Sequence, residues 1–300
     1  MQKLLTATAL TAVLASSAFA QEAITEFNIG ILGGENAQDR LTNNECFRAY
    51  SEEVLGVPVK LFAPADYDGV IQGLLGGTID MAWLGPSAYA KVYLTNPEAV
   101  DVALVKTNLD GSFTYHSIGI ARKDKGITTL QDAKGKVFGF GDPNSGSGYL
   151  VPSVEIPEVL GAEMEDFFGE VKFTGGHEQT IVAVNNGDID AGVTWADGQG
   201  NWEDGYNSGA LRKAVDAGLI DMNDLVEIWK SKPIPEGPIV LRRELPEEVK
   251  TKMIDLTMGL IEKDKECTYN IAAGETAGFS KIDHSFYEVL VEVRRRQDGM

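Results

Sequence analysis

The sequence predicts an α/β protein made of two lobes joined by two extended segments, on three observations. Apolar strand-like runs alternate with helix-like stretches along most of the 300 residues, the pattern of layered α/β folds. Residues 67–83, YDGVIQGLLGGTIDMAW, align at an offset of 110 with residues 177–193, HEQTIVAVNNGDIDAGV. Two extended apolar runs, TYHSIGIA at 114–121 and PIVLR at 238–242, stand beside glycine- or proline-containing turns and are placed to carry the chain between lobes.

The elements follow in order. The first 20 residues put Lys3 before an apolar core and end in Ala18-Phe19-Ala20, the form of a cleavable secretory signal. Cleavage there starts the mature chain at Gln21 and takes the net charge from −19 to −20, since Lys3 is the only charge removed. The core is short for a membrane anchor, and no cysteine adjoins the cut to carry a lipid. Strands are expected at 27–32, 57–62, 79–84 and 102–105, with helices such as 43–55 and 67–75 between them. After 114–121 the alternation resumes with strands at 137–140, 171–173, 189–193 and 225–229. The tail reads as helices at 247–262 and 284–295. This assigns residues 21–117 and 238–300 to the first lobe, completed by the C-terminal helices, and residues 118–237 to the second.

In the internal match Ile71 meets Ile181, Leu74 meets Val184, Gly77 meets Gly187, and Ile79-Asp80 meets Ile189-Asp190. Each copy reads as a helix closed by glycine and followed by a buried strand. Such units are common in α/β chains, so the match is either coincidence or the mark of two lobes built alike. In the second case Tyr67 and His177 hold equivalent places at a helix N-terminus, beside the carboxyl ends of the strands, where open α/β sheets bind ligands.

Composition removes several classes of function. An apolar fraction of 43% can supply real cores. A net charge of −19 is the wrong sign for a nucleic-acid or anionic-membrane partner. Cys46 and Cys267 either pair in an oxidising compartment or stay as two buried thiols. With three scattered histidines, His116, His177 and His284, they make no zinc-ligand spacing. Neither metal nor cofactor is expected.

The loop GDPNSGSGYLVP, residues 141–152, offers backbone amides and two hydroxyls ahead of a short helix, without a single positive charge. The first amides of a helix lack internal partners and carry its positive dipole end, which binds oxyanions. By composition alone a solvated turn is the other reading. The Gly-Lys-Ser/Thr of a P-loop is missing. A serine hydrolase is the rival from another class, with Ser145 or Ser147, His177 and Asp197 as nucleophile, base and acid, although the G-x-S-x-G elbow is absent.

Four stretches in order, residues 62–90, 141–152, 175–192 and 228–240 (IWKSKPIPEGPIV), resemble the phosphonate-binding proteins of bacterial ABC importers, within the periplasmic binding proteins for phosphate, phosphite and phosphonate. The resemblance runs from about residue 27 to 260. It implies a type II periplasmic-binding-protein fold, two α/β lobes with two hinge strands closing on a small ligand, and no catalysis. It carries ligand contacts onto Ser145 and Ser147, Tyr67, Tyr115 and His177. The family usually has threonine between the serines; Gly146 stands there and keeps only a backbone donor. Members that take 2-aminoethylphosphonate meet its ammonium with carboxylates. One such position matches Asp197; the other matches Gly237, with Glu236 one residue earlier as a substitute. Trp195, Trp202 and Tyr206 lie near Asp197 in sequence, and Trp83 reads as core. Phosphonate binding would then rest on amide dipoles, hydroxyls and a protonated His177. The resemblance also implies a periplasmic monomer that partners an inner-membrane permease, with 2-aminoethylphosphonate as ligand, or else phosphate, phosphite or an alkylphosphonate.

Overall fold

Two six-stranded sheets organise residues 24–300, the part of the chain that the computed structural model describes. The expected secretory signal at 1–20 lies outside the described residues. The chain opens with β1 (Phe27–Ile31), α1 (Ala37–Leu55), β2 (Val59–Phe62), α2 (Tyr67–Leu75), β3 (Met81–Trp83), α3 (Pro86–Thr95) and β4 (Val100–Thr107). Local chemistry sets these bounds. Asn36 caps α1 by accepting from the Gln38 and Asp39 amides, and Gly56 ends it in the left-handed region. Asp66 caps α2 through the Gly69 amide, while Val70, Ile71 and Leu74 form its buried stripe.

The second sheet takes β5 (Thr114–Arg122), β6 (Val137–Phe140), a π turn at Gly146–Leu150 that runs into α4 (Val151–Leu160), α5 (Met164–Phe167), β7 (Glu170–Phe173), α6 (His177–Asn186) and β8 (Ala191–Ala196). It ends with α7 (Ala210–Asp216), β9 (Leu225–Lys230) and β10 (Ile234–Pro235). The chain then returns as β11 (Pro238–Arg242), α8 (Glu247–Lys263), α9 (Lys265–Ile271), β12 (Gly278–Lys281) and α10 (Glu288–Gln297).

The internal match is architectural. In the first sheet β1 pairs in parallel with β2 and β3; in the second, β6 pairs in parallel with β7 and β8. Phe27 and Val137, Tyr67 and His177, and Met81 and Ala191 begin corresponding elements, each pair 110 residues apart. The two lobes are built alike.

Both runs expected to cross between lobes lie within a sheet, β11 in the first and β5 in the second, and the first lobe boundary moves. The run at 114–121 does not cross between lobes, because β5 pairs along its length with β8, β9 and β10 of the second sheet. The chain crosses at 108–113 and returns at Glu236-Gly237, after which β11 inserts antiparallel between β3 and β4. The crossings touch where the Glu236 amide donates to the Phe113 carbonyl at 2.8 Å.

Helices cover both faces of each sheet. Phe47, Met253 and Leu260 pack on one face of the first and Ile71, Leu74 and Tyr89 on the other; the second lobe has its own two cores. The C-terminal α8 and α9 pack against α1, and α10 against α3. Cys46 of α1 and Cys267 of α9 form a disulfide, with Cα atoms 5.9 Å apart. Among the described residues no helix is long and apolar enough to cross a membrane.

The lobes are closed on one another. At the rim Lys213 pairs with Glu35, and the Asn36 amide donates to Glu178 Oε2 at 3.2 Å. On another side Lys91 and Arg294 both donate to Asn144 Oδ1, at 3.2 and 3.1 Å.

Candidate functional site

Four helices begin at one cavity between the lobes. Tyr67, Pro86, Gly146 and His177 are the first residues of α2, α3, the π turn that leads into α4, and α6, and all four line a cavity of about 200 Å³. Two come from each lobe. Helix N-termini present unpaired amides and a positive dipole end. Such an arrangement suits an anion even in a chain of net charge −19 whose loop has no arginine or lysine.

The loop after β6 is interior, not a solvated turn: Ser145 and Ser147 are 2% and 1% exposed. The Gly148 amide donates to Ser145 Oγ at 2.9 Å, so the hydroxyl caps the turn. Ser145 Oγ also lies 3.0 Å from His177 Nε2. With the ring proton on Nε2, the imidazole donates to Ser145 Oγ and leaves the serine's own proton free, while Nδ1 is a buried atom without a partner. From below, Ser117 on β5 donates to the Ser147 carbonyl at 2.7 Å and fixes the turn. Tyr67 lies beside Ser145 and Tyr115 beside Ser147; burial raises both phenols well above their ordinary range, the serine contacts opposing it. Both tyrosines are therefore donors at neutral pH.

His177 departs from expectation in its charge. Burial drives its imidazole down to about 3 from an ordinary 6.5, so the ring is neutral in the closed protein. The unfolded chain then binds more protons than the folded one between about pH 6.5 and 3. The stability contribution is complete above that window and lost as pH falls through it. A His177→Gln variant is expected to shed this dependence, up to about 1.4 kcal/mol per pH unit, seen as a smaller drop in urea midpoint from pH 7 to pH 5. Identical drops in both proteins would mean that the folded ring is charged.

Gly146 and Gly237 are explained by close approach. A Cβ at Gly146 would lie 2.9 Å from both Pro86 Cγ and the Tyr115 hydroxyl, so a threonine does not fit there as the chain stands. At Gly237 a Cβ would fall 1.9 Å from the Leu84 carbonyl oxygen, which leaves no room for aspartate and confines the carboxylate to Glu236.

Glu236 does line the cavity, yet its charge is taken. Lys106 of β4, fully buried, sits 2.8 Å from Glu236 Oε1. Lys106 was not legible as a site residue; the only signal is a lysine inside the apolar strand VALVKT. Asp197 differs from its expected place. It is buried but does not line the cavity. Strand β8 ends at Ala196, and the chain turns at Gly198 with φ 75°. The Asp197 carboxylate accepts from the Gln199 amide of that same turn at 3.2 Å. Trp195 takes the cavity wall instead, its ring 5.6 Å from Tyr115 and 6.5 Å from His177. Trp83, expected in the core, also lines the cavity and donates its Nε1 to the Gly237 carbonyl at 3.0 Å. Trp202 and Tyr206 pack on each other and do not line it.

The serine–histidine contact lacks the third member of a hydrolase triad. Asp197 is bonded elsewhere, and Nδ1 faces no carboxylate oxygen at hydrogen-bonding distance.

Two α/β lobes closing on a cavity at four helix N-termini define a type II periplasmic substrate-binding protein. Residues 29–287 match the family described as ABC transporter, phosphonate, periplasmic substrate-binding protein. The chain belongs to that family and is the periplasmic phosphonate- or phosphate-binding component of an ABC importer. It is 34% identical over 254 residues to the phosphonates-binding periplasmic protein of Escherichia coli, covering 82% of this chain and 69% of that protein. It is 27% identical to the phosphate-import protein PhnD of Mycolicibacterium smegmatis, covering 94% and 86%. A crystal structure of the binding-protein component of a phosphonate transporter from Pseudomonas aeruginosa superposes with a TM-score of 0.76 at 28% identity, covering 91% and 87%.

Proposed function

We propose that the ligand is a phosphonate selected by its phosphonyl group. The Ser145 and Ser147 hydroxyls, the Gly146 amide and the Tyr67 and Tyr115 hydroxyls grip its oxygens, with His177 Nε2 donating to Ser145 Oγ and aiming that hydroxyl at the ligand. The observation that carries this reading is the meeting of four helix N-termini at a cavity whose carboxylates, Glu35 and Glu236, each face a lysine. Such a cavity is rich in donors and poor in free acceptors, the complement of an oxyanion. The lobes, residues 24–107 with 238–300 and residues 114–235, close as rigid bodies about the two crossings. The mature protein, freed of its signal after Ala20, acts as a monomer and delivers its ligand to an inner-membrane permease.

The resemblance favours 2-aminoethylphosphonate, but its ammonium is poorly served here. Asp197 is turned into its own loop, and Glu236 would have to be shared with Lys106. A short neutral tail, or phosphate as in the mycobacterial relative's name, leaves no charge unmatched. Calorimetry on protein stripped by unfolding and refolding is expected to give methylphosphonate and phosphate affinities at least equal to that of 2-aminoethylphosphonate. A preference for the amine of about tenfold or more, about 1.4 kcal/mol, would restore it as the selected ligand. Absence of binding to all three would remove the phosphonyl reading.

A further inference from the structure

We propose that Lys106 is a specificity-determining residue, which holds the Glu236 carboxylate and so turns away ligands with a cationic tail. The inference deepens the phosphonyl reading above and rests on it. Lys106 stands next to last in β4, beside the core residues Leu104 and Val105, and is 0% exposed. Its ammonium meets Glu236 Oε1 at 2.8 Å, Ser208 Oγ at 2.9 Å, and the Trp195 ring at 5.4 Å from its centre. Glu236 and Trp195 line the cavity, and Lys106 does not. The lysine therefore acts from behind the wall that a ligand's tail would face.

The charges and the geometry differ in a useful way. The Lys106 to Glu236 contact is close, but Oε1 makes no well-aligned hydrogen bond. Its charge is balanced while its lone pairs remain under-used. Neither member of a buried pair is tolerated alone without a large cost, so the two act as one neutral unit. A neutral tail meets that unit and the Trp195 face. An ammonium meets the Lys106 charge at short range and competes with it for one carboxylate. Without the lysine's charge, a ligand ammonium becomes the natural counter-ion of Glu236.

The readout is the ratio of 2-aminoethylphosphonate to methylphosphonate affinity, measured by calorimetry in mature wild type, Lys106→Met, Glu236→Gln and the double variant. The ratio is expected to rise at least about tenfold in Lys106→Met and to fall at least about tenfold in Glu236→Gln, in line with measured couplings of close buried charges. In the double variant, neutral like the wild-type pair, it should return to within about threefold of wild type. If Lys106→Met does not fold, Glu236→Gln and the double variant decide. Ratios within about threefold of wild type in every folded variant would make Lys106 a structural tie and overturn the proposal, whatever ligand the wild type prefers. Failure of the wild type to bind phosphate or either phosphonate overturns the phosphonyl reading instead, whatever the variants do.

Discussion

Mature protein carrying both Ser145→Ala and Ser147→Ala is expected to lose phosphonate affinity by about 3–6 kcal/mol, since each hydrogen bond to a charged group contributes about 1.5–3. The loss should be nearly the same for methylphosphonate, 2-aminoethylphosphonate and phosphate, because the hydroxyls touch what these ligands share. The two serines are not equivalent within the fold. Ser145 Oγ holds the Gly148 amide and contacts His177 Nε2, so Ser145→Ala alone also removes a helix cap, at about 1 kcal/mol of stability. Ser147→Ala should leave the urea midpoint close to wild type while still weakening binding. Calorimetry and urea denaturation on the three variants separate the two effects. Wild-type affinity in the double variant would exclude the loop from the site.

The second large effect concerns the disulfide. Cys46→Ser, or reduction of the wild type, is expected to destabilise the ligand-free protein by about 2–5 kcal/mol, the range for native disulfides. The bridge closes a span of 221 residues, among the longest the chain permits, and loop-closure entropy grows with length. Urea unfolding with and without reductant would show it as a fall in midpoint. Matching midpoints would mean that the α1 to α9 packing alone holds the C-terminal helices in place.

Much of this architecture was legible because it repeats. The Ile71/Ile181, Leu74/Val184 and Gly77/Gly187 matches mark helix α2 and its counterpart α6, and through them the equivalence of Tyr67 and His177. The serine loop was legible from its amides and hydroxyls, and Tyr115 from the resemblance. What stayed hidden depends on neighbours distant in sequence. The run at 114–121 has the composition of any extended segment; only its pairing with β8 and β9 makes it an inner strand of the second lobe. Asp197 occupies the expected position in the chain, but a turn one residue long in its consequences redirects it. Lys106 resembles the polar end of a strand until Glu236, 130 residues later, folds back beside it. The charge state of His177 follows from burial, which residue type does not reveal.

The Cys46 to Cys267 bridge also bears on the order in which the molecule can be assembled. The second lobe is one uninterrupted length of chain, β5 to β10, and contains all six strands of its sheet once β10 has emerged. The first lobe is split, and β11, which sits between β3 and β4, arrives only after the whole second lobe. Cys46 waits longer still, since its partner lies beyond α8. Oxidation of this pair therefore cannot precede the emergence of the whole second lobe, β11 and α8, and it ties α1 to a segment made only after that insert.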